Sequence, residues 1–187
     1  MASIAVKQRR FYVGHSPFAH NYLVLYDDQG NFVAELHGLP ADARTGKETE
    51  EPVGRSWRNL RAFEYPYKNW YNDRDNEQAL WQGSYDDAMT KWQAAKAVQD
   101  QINNRNLTYN LWGSDLNGPR NWDDPVPSVI AGNSNSAYRT YLDAMGLRAP
   151  SLPDMAPGTE SSLLSQSDIE RIQRDNAIPR PPRGGLF

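Results

Sequence analysis

Two β-rich runs on either side of a short turn constrain this chain more than any other feature. His20-Asn21-Tyr22-Leu23-Val24-Leu25-Tyr26 leads into Asp27-Asp28-Gln29-Gly30, and Asn31-Phe32-Val33-Ala34-Glu35-Leu36-His37 returns. Aromatic and β-branched residues around an Asp/Gly turn predict a β-hairpin. With residues 27–30 as a four-residue loop, Leu25 faces Phe32, and Leu23, Leu25, Phe32, Ala34 and Leu36 share one apolar face. The other face carries His20, Tyr22, Val24, Val33, Glu35 and His37. A five-residue loop would mix the two sets, and burial of one face penalises such a slip. The four-residue loop is therefore expected. It sets His20 directly across from His37, with Cβ atoms about 5 Å apart.

A second segment points to chemistry. Asn133-Ser134-Asn135-Ser136 is a run of helix-capping residues. Ala137, Tyr138, Tyr141, Leu142 and Met145 follow at helical spacing, and Gly146 closes the stripe, which predicts a helix over 136–146. A hydroxyl in the first turn of a buried helix faces unpaired N–H groups and the positive end of the dipole, a setting suited to an oxygen nucleophile and an oxyanion. It equally describes an ordinary N-cap.

Ile4–Val13 reads as a strand and Gly14-His15-Ser16-Pro17 as a break. Residues 38–58 read as a polar surface loop. The segment 57–81 is dense in aromatics without a clean period, and reads as short irregular elements packed on the sheet. Ser84 and Asp87 resemble a capping box for a helix over 85–103, which carries Tyr85, Ala88, Met89, Trp92, Ala95, Val98 and Ile102. Residues 107–112 form a short extended run and 113–130 a loop. Ser167 to Asn176 predicts one more short helix. From about residue 177 the chain turns to Pro and Gly, and it is expected to be a flexible tail that adds little stability, with a short docking peptide for a protein partner as the alternative. The expected organisation is an α+β domain over 1–160, with an antiparallel sheet and packed helices, followed by a short helix and tail over 161–187.

Composition narrows the function. The chain has 187 residues and a net charge of −3, and its 20 Lys and Arg are dispersed, which argues against a nucleic-acid partner. No apolar run reaches the length of a membrane span, and the N-terminus does not read as a cleaved signal. The expected location is the cytoplasm of the producing cell, or export by a route that needs no cleaved signal. With no cysteine, disulfides, thiol nucleophiles and Cys-bearing metal sites are excluded. No metal and no cofactor is expected.

His20, a polar partner on the next strand, and a hydroxyl at a distant helix start form the outline of a nucleophile, its base and an orienting group. His37, or else Glu35, would orient His20; Ser134 or Ser136 would attack. These residues resemble the circularly permuted papain-like group that includes NlpC-related hydrolases, PPPDE peptidases and lecithin retinol acyltransferase-like enzymes. The matching stretches are His20–Leu25, Glu35-Leu36-His37, Tyr109-Asn110-Leu111 and Asn133–Ser136. The resemblance covers roughly residues 10–40 and 85–147. It implies a permuted papain-like fold with Ser134 at the cysteine position, His20 as base, His37 as its orienting partner, and Asn133, Asn135 and Ser136 around a helix-terminal oxyanion site.

The chain departs from the group at the nucleophile, because a serine hydroxyl is not ionised near neutral pH as a thiol partly is. A serine hydrolase, a serine replacing a cysteine, and a binding fold that has lost its chemistry all remain open. The expectation drawn is a bacterial amide hydrolase acting on a peptide or peptidoglycan, set in a secreted antibacterial effector. A non-catalytic binding module using the 57–81 aromatics, or an acyltransferase with the same residues, are the alternatives.

Overall fold

A computed structural model describes residues 1–13, 16–49, 58–110 and 131–179. Residues 14–15 of the expected break at 14–17, the loop at 113–130, Trp57 and the tail beyond residue 179 lie outside them; Ser16 and Pro17 are not a break but open the second strand, paired with Val13 and Tyr12. The chain builds a seven-stranded sheet from β1 (Ala2–Val13), β2 (Ser16–Tyr26), β3 (Phe32–Asp42), β4 (Arg58–Tyr65), β5 (Asn76–Gly83), β6 (Thr108–Tyr109) and β7 (Ala131–Gly132). Their spatial order is β5-β1-β2-β3-β4-β6-β7. All neighbours are antiparallel except β6 and β7. Helices α1 (Tyr85–Arg105), α2 (Ser134–Met145) and α3 (Gln166–Asp175) complete an α+β fold.

The hairpin forms, with a register that differs from the expected one. Tyr26 pairs with Phe32, so the loop is five residues, Asp27 to Asn31. Alone, that would turn the apolar residues of one strand outward. A bulge between Leu25 and Tyr26 absorbs Val33 as an extra residue, and Leu25 then pairs with Ala34 and Leu23 with Leu36. Two odd steps cancel, and the apolar faces match again. The turn is specified by Asp27, whose Oδ1 accepts from the N–H groups of Gln29 and Asn31 at 2.9 and 2.8 Å. Two corrections follow. Phe32 leaves the apolar face and meets Tyr71 edge-on, with centroids 5.5 Å apart. His20 is no longer directly opposite His37; it lies diagonal to it, and the two still share a face.

Alternation gives the sheet an inner face of Ala2, Ile4, Val6, Leu23, Leu25, Ala34, Leu36, Leu60 and Ala62. These pack with Trp92, Val98 and Ile102 of α1 and with Tyr138, Tyr141, Leu142 and Met145 of α2 in one core. Helix α1 starts at Ser84, whose Oγ accepts from Asp87 N at 3.1 Å, and stops at Asn106 in the left-handed conformation. The expected helix 136–146 begins two residues earlier. The segment 57–81 is more regular than expected: its described part supplies strands β4 and β5. The expected surface loop 38–58 likewise starts later, since β3 continues to Asp42 and pairs there with Arg58. Leu163, Leu164, Ile169, Ile172 and Ile178 belong to the same core as the sheet. Thus α3 and the chain as far as Ile178 are packed on the domain.

Gly38 fixes how closely α2 meets the sheet. A Cβ at this position would stand 2.5 Å from Ala137 Cβ. Gly38→Ala is expected to lower the unfolding free energy by about 1–3 kcal/mol, as overpacking does. Ala137→Gly, destabilising alone by about 1 kcal/mol for helix propensity, should recover part of that loss in the double variant. Strictly additive losses in denaturant titrations would show that the two side chains do not compete for one space.

Candidate active site

Strands β2 and β3 are paired from Leu23/Leu36 to the turn, and beyond Leu23 their ladder ends. The first turn of α2 enters this fork. Asn135 Oδ1 accepts from Asn21 N at 3.0 Å, and Asn135 Nδ2 donates to Ala19 O at 2.9 Å. One side-chain amide therefore replaces β3 as partner of the two peptides that flank His20. Asn133 is the N-cap: its Oδ1 accepts from the N–H groups of Asn135 and Ser136, both at 2.9 Å. Ser136 returns the contact, its Oγ accepting from Asn133 N at 2.8 Å. This reciprocal capping box occupies Ser136 and both amides, leaving Ser134 as the first helical residue.

The segment after α2 locks the arrangement. Pro157 O accepts from Asn133 Nδ2 at 2.8 Å and from Asn135 Nδ2 at 3.1 Å. Gly158 follows at φ +92, where a Cβ would lie 2.5 Å from Asn133 Oδ1. Only glycine satisfies both the backbone and the space there.

On the outer face of the sheet, His20 Nε2 and His37 Nδ1 are 2.9 Å apart. Their rings lie nearly parallel, with centroids 5.2 Å apart, and Trp70 packs on both at 5.4 and 5.7 Å. Glu35 lies behind them, its Oε1 3.6 Å from His37 Nε2. That carboxylate oxygen accepts from two successive N–H groups of the β4–β5 connection, Asn69 at 2.9 Å and Trp70 at 2.5 Å. Arg9 donates to Trp70 O and to Asp75 Oδ2, and Tyr22 OH donates to the same Asp75 oxygen at 2.8 Å. Trp70 Nε1 donates to Glu48 Oε1 at 3.0 Å. The connection is thus tied down over the imidazoles at several points.

The site residues divide into two groups. His20 and His37 are joined directly. Ser134, 5% exposed, stands in the fork over Gly38, where a Cβ would lie 3.4 Å from Ser134 Cα. Ser134 is not hydrogen-bonded to His20; its hydroxyl and N–H lie against the Tyr109 phenol, where they counter the upward push of burial on that phenol. Glu35 was visible in the sequence only as the lesser alternative to His37, and Trp70, Pro157 and Gly158 carried no local signal. Among the described residues no cluster has the makings of a metal site. Nor, among the described residues, is any helix long and apolar enough to span a membrane. No family model, curated protein or solved structure matches the chain.

Burial is the main force on the titrations. It holds both imidazoles well below their usual range; for His20 the neighbouring His37 and then Arg9 add to this, and for His37 Arg9 does. Burial raises the Glu35 carboxyl, against the lowering by the loop N–H groups. Between pH 7.5 and 5.5 the unfolded chain takes up imidazole protons that the folded chain refuses, so stability falls as the pH falls. The loss is expected to reach up to about 1.4 kcal/mol at pH 5.5 for each imidazole that stays neutral. The raised Glu35 works in the opposite sense and only toward the lower end of the range. His37→Asn should remove about half of the pH dependence seen in urea titrations. A native protein equally stable at both pH values would contradict two buried neutral imidazoles.

Proposed function

We propose that the protein is a hydrolase of amide bonds, with His20 as general base and Ser134 as nucleophile, acting on a peptide or on the peptide part of peptidoglycan. The observation that carries this reading is the state of His20. Its Nε2 is engaged by His37, Nδ1 has no hydrogen-bond partner among the described residues, and Asn135, the residue after Ser134, clamps the peptides on both sides of it. A base held by one ring nitrogen, with the other unpaired, is what an unionised hydroxyl needs. Nδ1 takes the Ser134 proton as Oγ attacks the carbonyl carbon. The amine then leaves with that proton, and water attacks the acyl-enzyme by the same route.

Capping commits the N–H groups of residues 135 and 136 to Asn133. The Ser134 N–H and the Tyr109 hydroxyl are the donors that this reading leaves for the attacked carbonyl. Transfer of the acyl group to an acceptor other than water uses the same residues and is the acyltransferase form of the reading. Ser134 sits beside Tyr109 without a bond to His20, and this favours the competing view of a non-catalytic binding module on the same fold. A secreted effector is the setting in which we place the hydrolase.

The absence of cysteine permits a test that needs no substrate. Ser134→Cys introduces a single thiol. Under the hydrolase reading it alkylates with iodoacetamide at pH 6–7 at least about tenfold faster than Ser136→Cys, because an adjacent base lowers a thiol pKa. The excess should vanish in the Ser134→Cys/His20→Ala variant. Equal, His20-independent rates at the two positions would leave the binding module as the better reading.

A further inference from the structure

The 2.9 Å contact between His20 Nε2 and His37 Nδ1 requires one donor and one acceptor, so a single proton lies between the rings. Two arrangements satisfy it. In the first, His20 carries its proton on Nε2 and donates to His37 Nδ1, and His37 carries its own on Nε2, facing Glu35. In the second, His37 donates from Nδ1, its bare Nε2 faces Glu35, and His20 carries its proton on Nδ1. The second arrangement leaves His20 with no lone pair to offer.

We propose that Glu35 is a positioning residue that selects the first arrangement, and so leaves His20 Nδ1 as the unprotonated nitrogen. This inference rests on the reading of His20 as the base, and its physical content is separate from it. At 3.6 Å the Glu35 Oε1 to His37 Nε2 contact is too long for a hydrogen bond, but it is a charge facing one ring atom inside a buried layer. His37 and Glu35 are both fully buried. Among the described residues, His37 Nε2 and Glu35 Oε2 have no hydrogen-bond partner. A lone pair facing a carboxylate in such surroundings is repelled, whereas an N–H is attracted. Fixing His37 fixes His20, since the two share one proton.

The same carboxylate ties down the connection that covers both rings. Its bonds from Asn69 N and Trp70 N hold Trp70 against His20 and His37. Glu35 thereby sets both the proton pattern of the pair and the seat of the side chain that shields it.

Long-range proton–nitrogen correlation spectra of the 15N-labelled full chain at pH 7.5 decide the matter, because the two neutral tautomers give distinct patterns. The expected result is Nε2–H on both His20 and His37. Glu35→Gln, which keeps an oxygen for the loop amides and removes the charge, should give a mixture of tautomers at both rings. In a Ser134→Cys background it should slow alkylation about tenfold or more, the usual scale for loss of an outer orienting partner. Native His20 found with its proton on Nδ1 overturns the proposal without recourse to any variant. An unchanged single tautomer in Glu35→Gln overturns it as well. The expected tautomers in a protein whose Ser134→Cys thiol proves unreactive would support the assignment of Glu35 while removing the hydrolase reading.

Discussion

The arrangement of this protein depends on one side-chain amide. Where β2 and β3 part, the Ala19 carbonyl and the Asn21 N–H would be left buried without their ladder partners, at about 1–3 kcal/mol for each unpaired group. Asn135 satisfies both, and no aspartate or leucine of similar size could, because the fork needs a donor and an acceptor on one planar group. The position of α2 follows from this. Its first turn is drawn into the plane of the sheet, Ala137 lands on Gly38, and Tyr141 OH reaches the His37 carbonyl at 3.1 Å. The strands that carry the two histidines are thereby each fastened to the helix that begins at Ser134.

The outer face of the sheet raises a different problem. A layer that buries His20, Tyr22, Glu35, His37 and Lys7 gains less from water exclusion than an aliphatic layer of the same area. The chain compensates by pairing. Lys7 meets Glu77 at 2.8 Å, Tyr22 and Arg9 share Asp75, and two loop amides meet Glu35. Among the described residues, Glu35 Oε2 and His37 Nε2 are buried here without a hydrogen-bond partner. Polar groups left incompletely satisfied at the centre of a layer otherwise closed so carefully are more readily explained by a task than by stability alone.

How much of this could be read beforehand follows from the range of the forces. The hairpin, both long helices and the cap at Ser84 are set by residues within a turn of one another, and they were legible; which of the capping residues 133–136 opens the second helix was not. The exact register was not. A five-residue loop is inconsistent with the alternating pattern unless a bulge follows, and nothing in Phe32-Val33-Ala34 marks the bulge, since its effect is to restore the very pattern that was read. Strands β4 and β5 were obscured for a related reason. Their residues are exposed or half-buried along much of their length, so the apolar alternation that reveals a strand is diluted by aromatics serving the outer layer. In the candidate site, the shared face of His20 and His37 was visible from the period of two. The role of Glu35 was not, because it is defined by the amides of Asn69 and Trp70, more than thirty residues away.

The two histidines show how such remote contacts decide chemistry. An imidazole pair at hydrogen-bond distance has no intrinsic direction: each ring can donate or accept, and the sequence is silent on which does. Direction comes only from an asymmetry outside the pair. At one end stands the Glu35 carboxylate, held by backbone donors that cannot turn away; at the other, the fork between the strands, where Ser134 begins the helix. A negative charge behind His37, on the side away from His20, makes the two ends unlike. Reversing the proton pattern would place a lone pair against the carboxylate, which is unfavourable. On the proposal made above, the pair is polarised along one line, with the carboxylate at one end and the lone pair of His20 Nδ1 at the other.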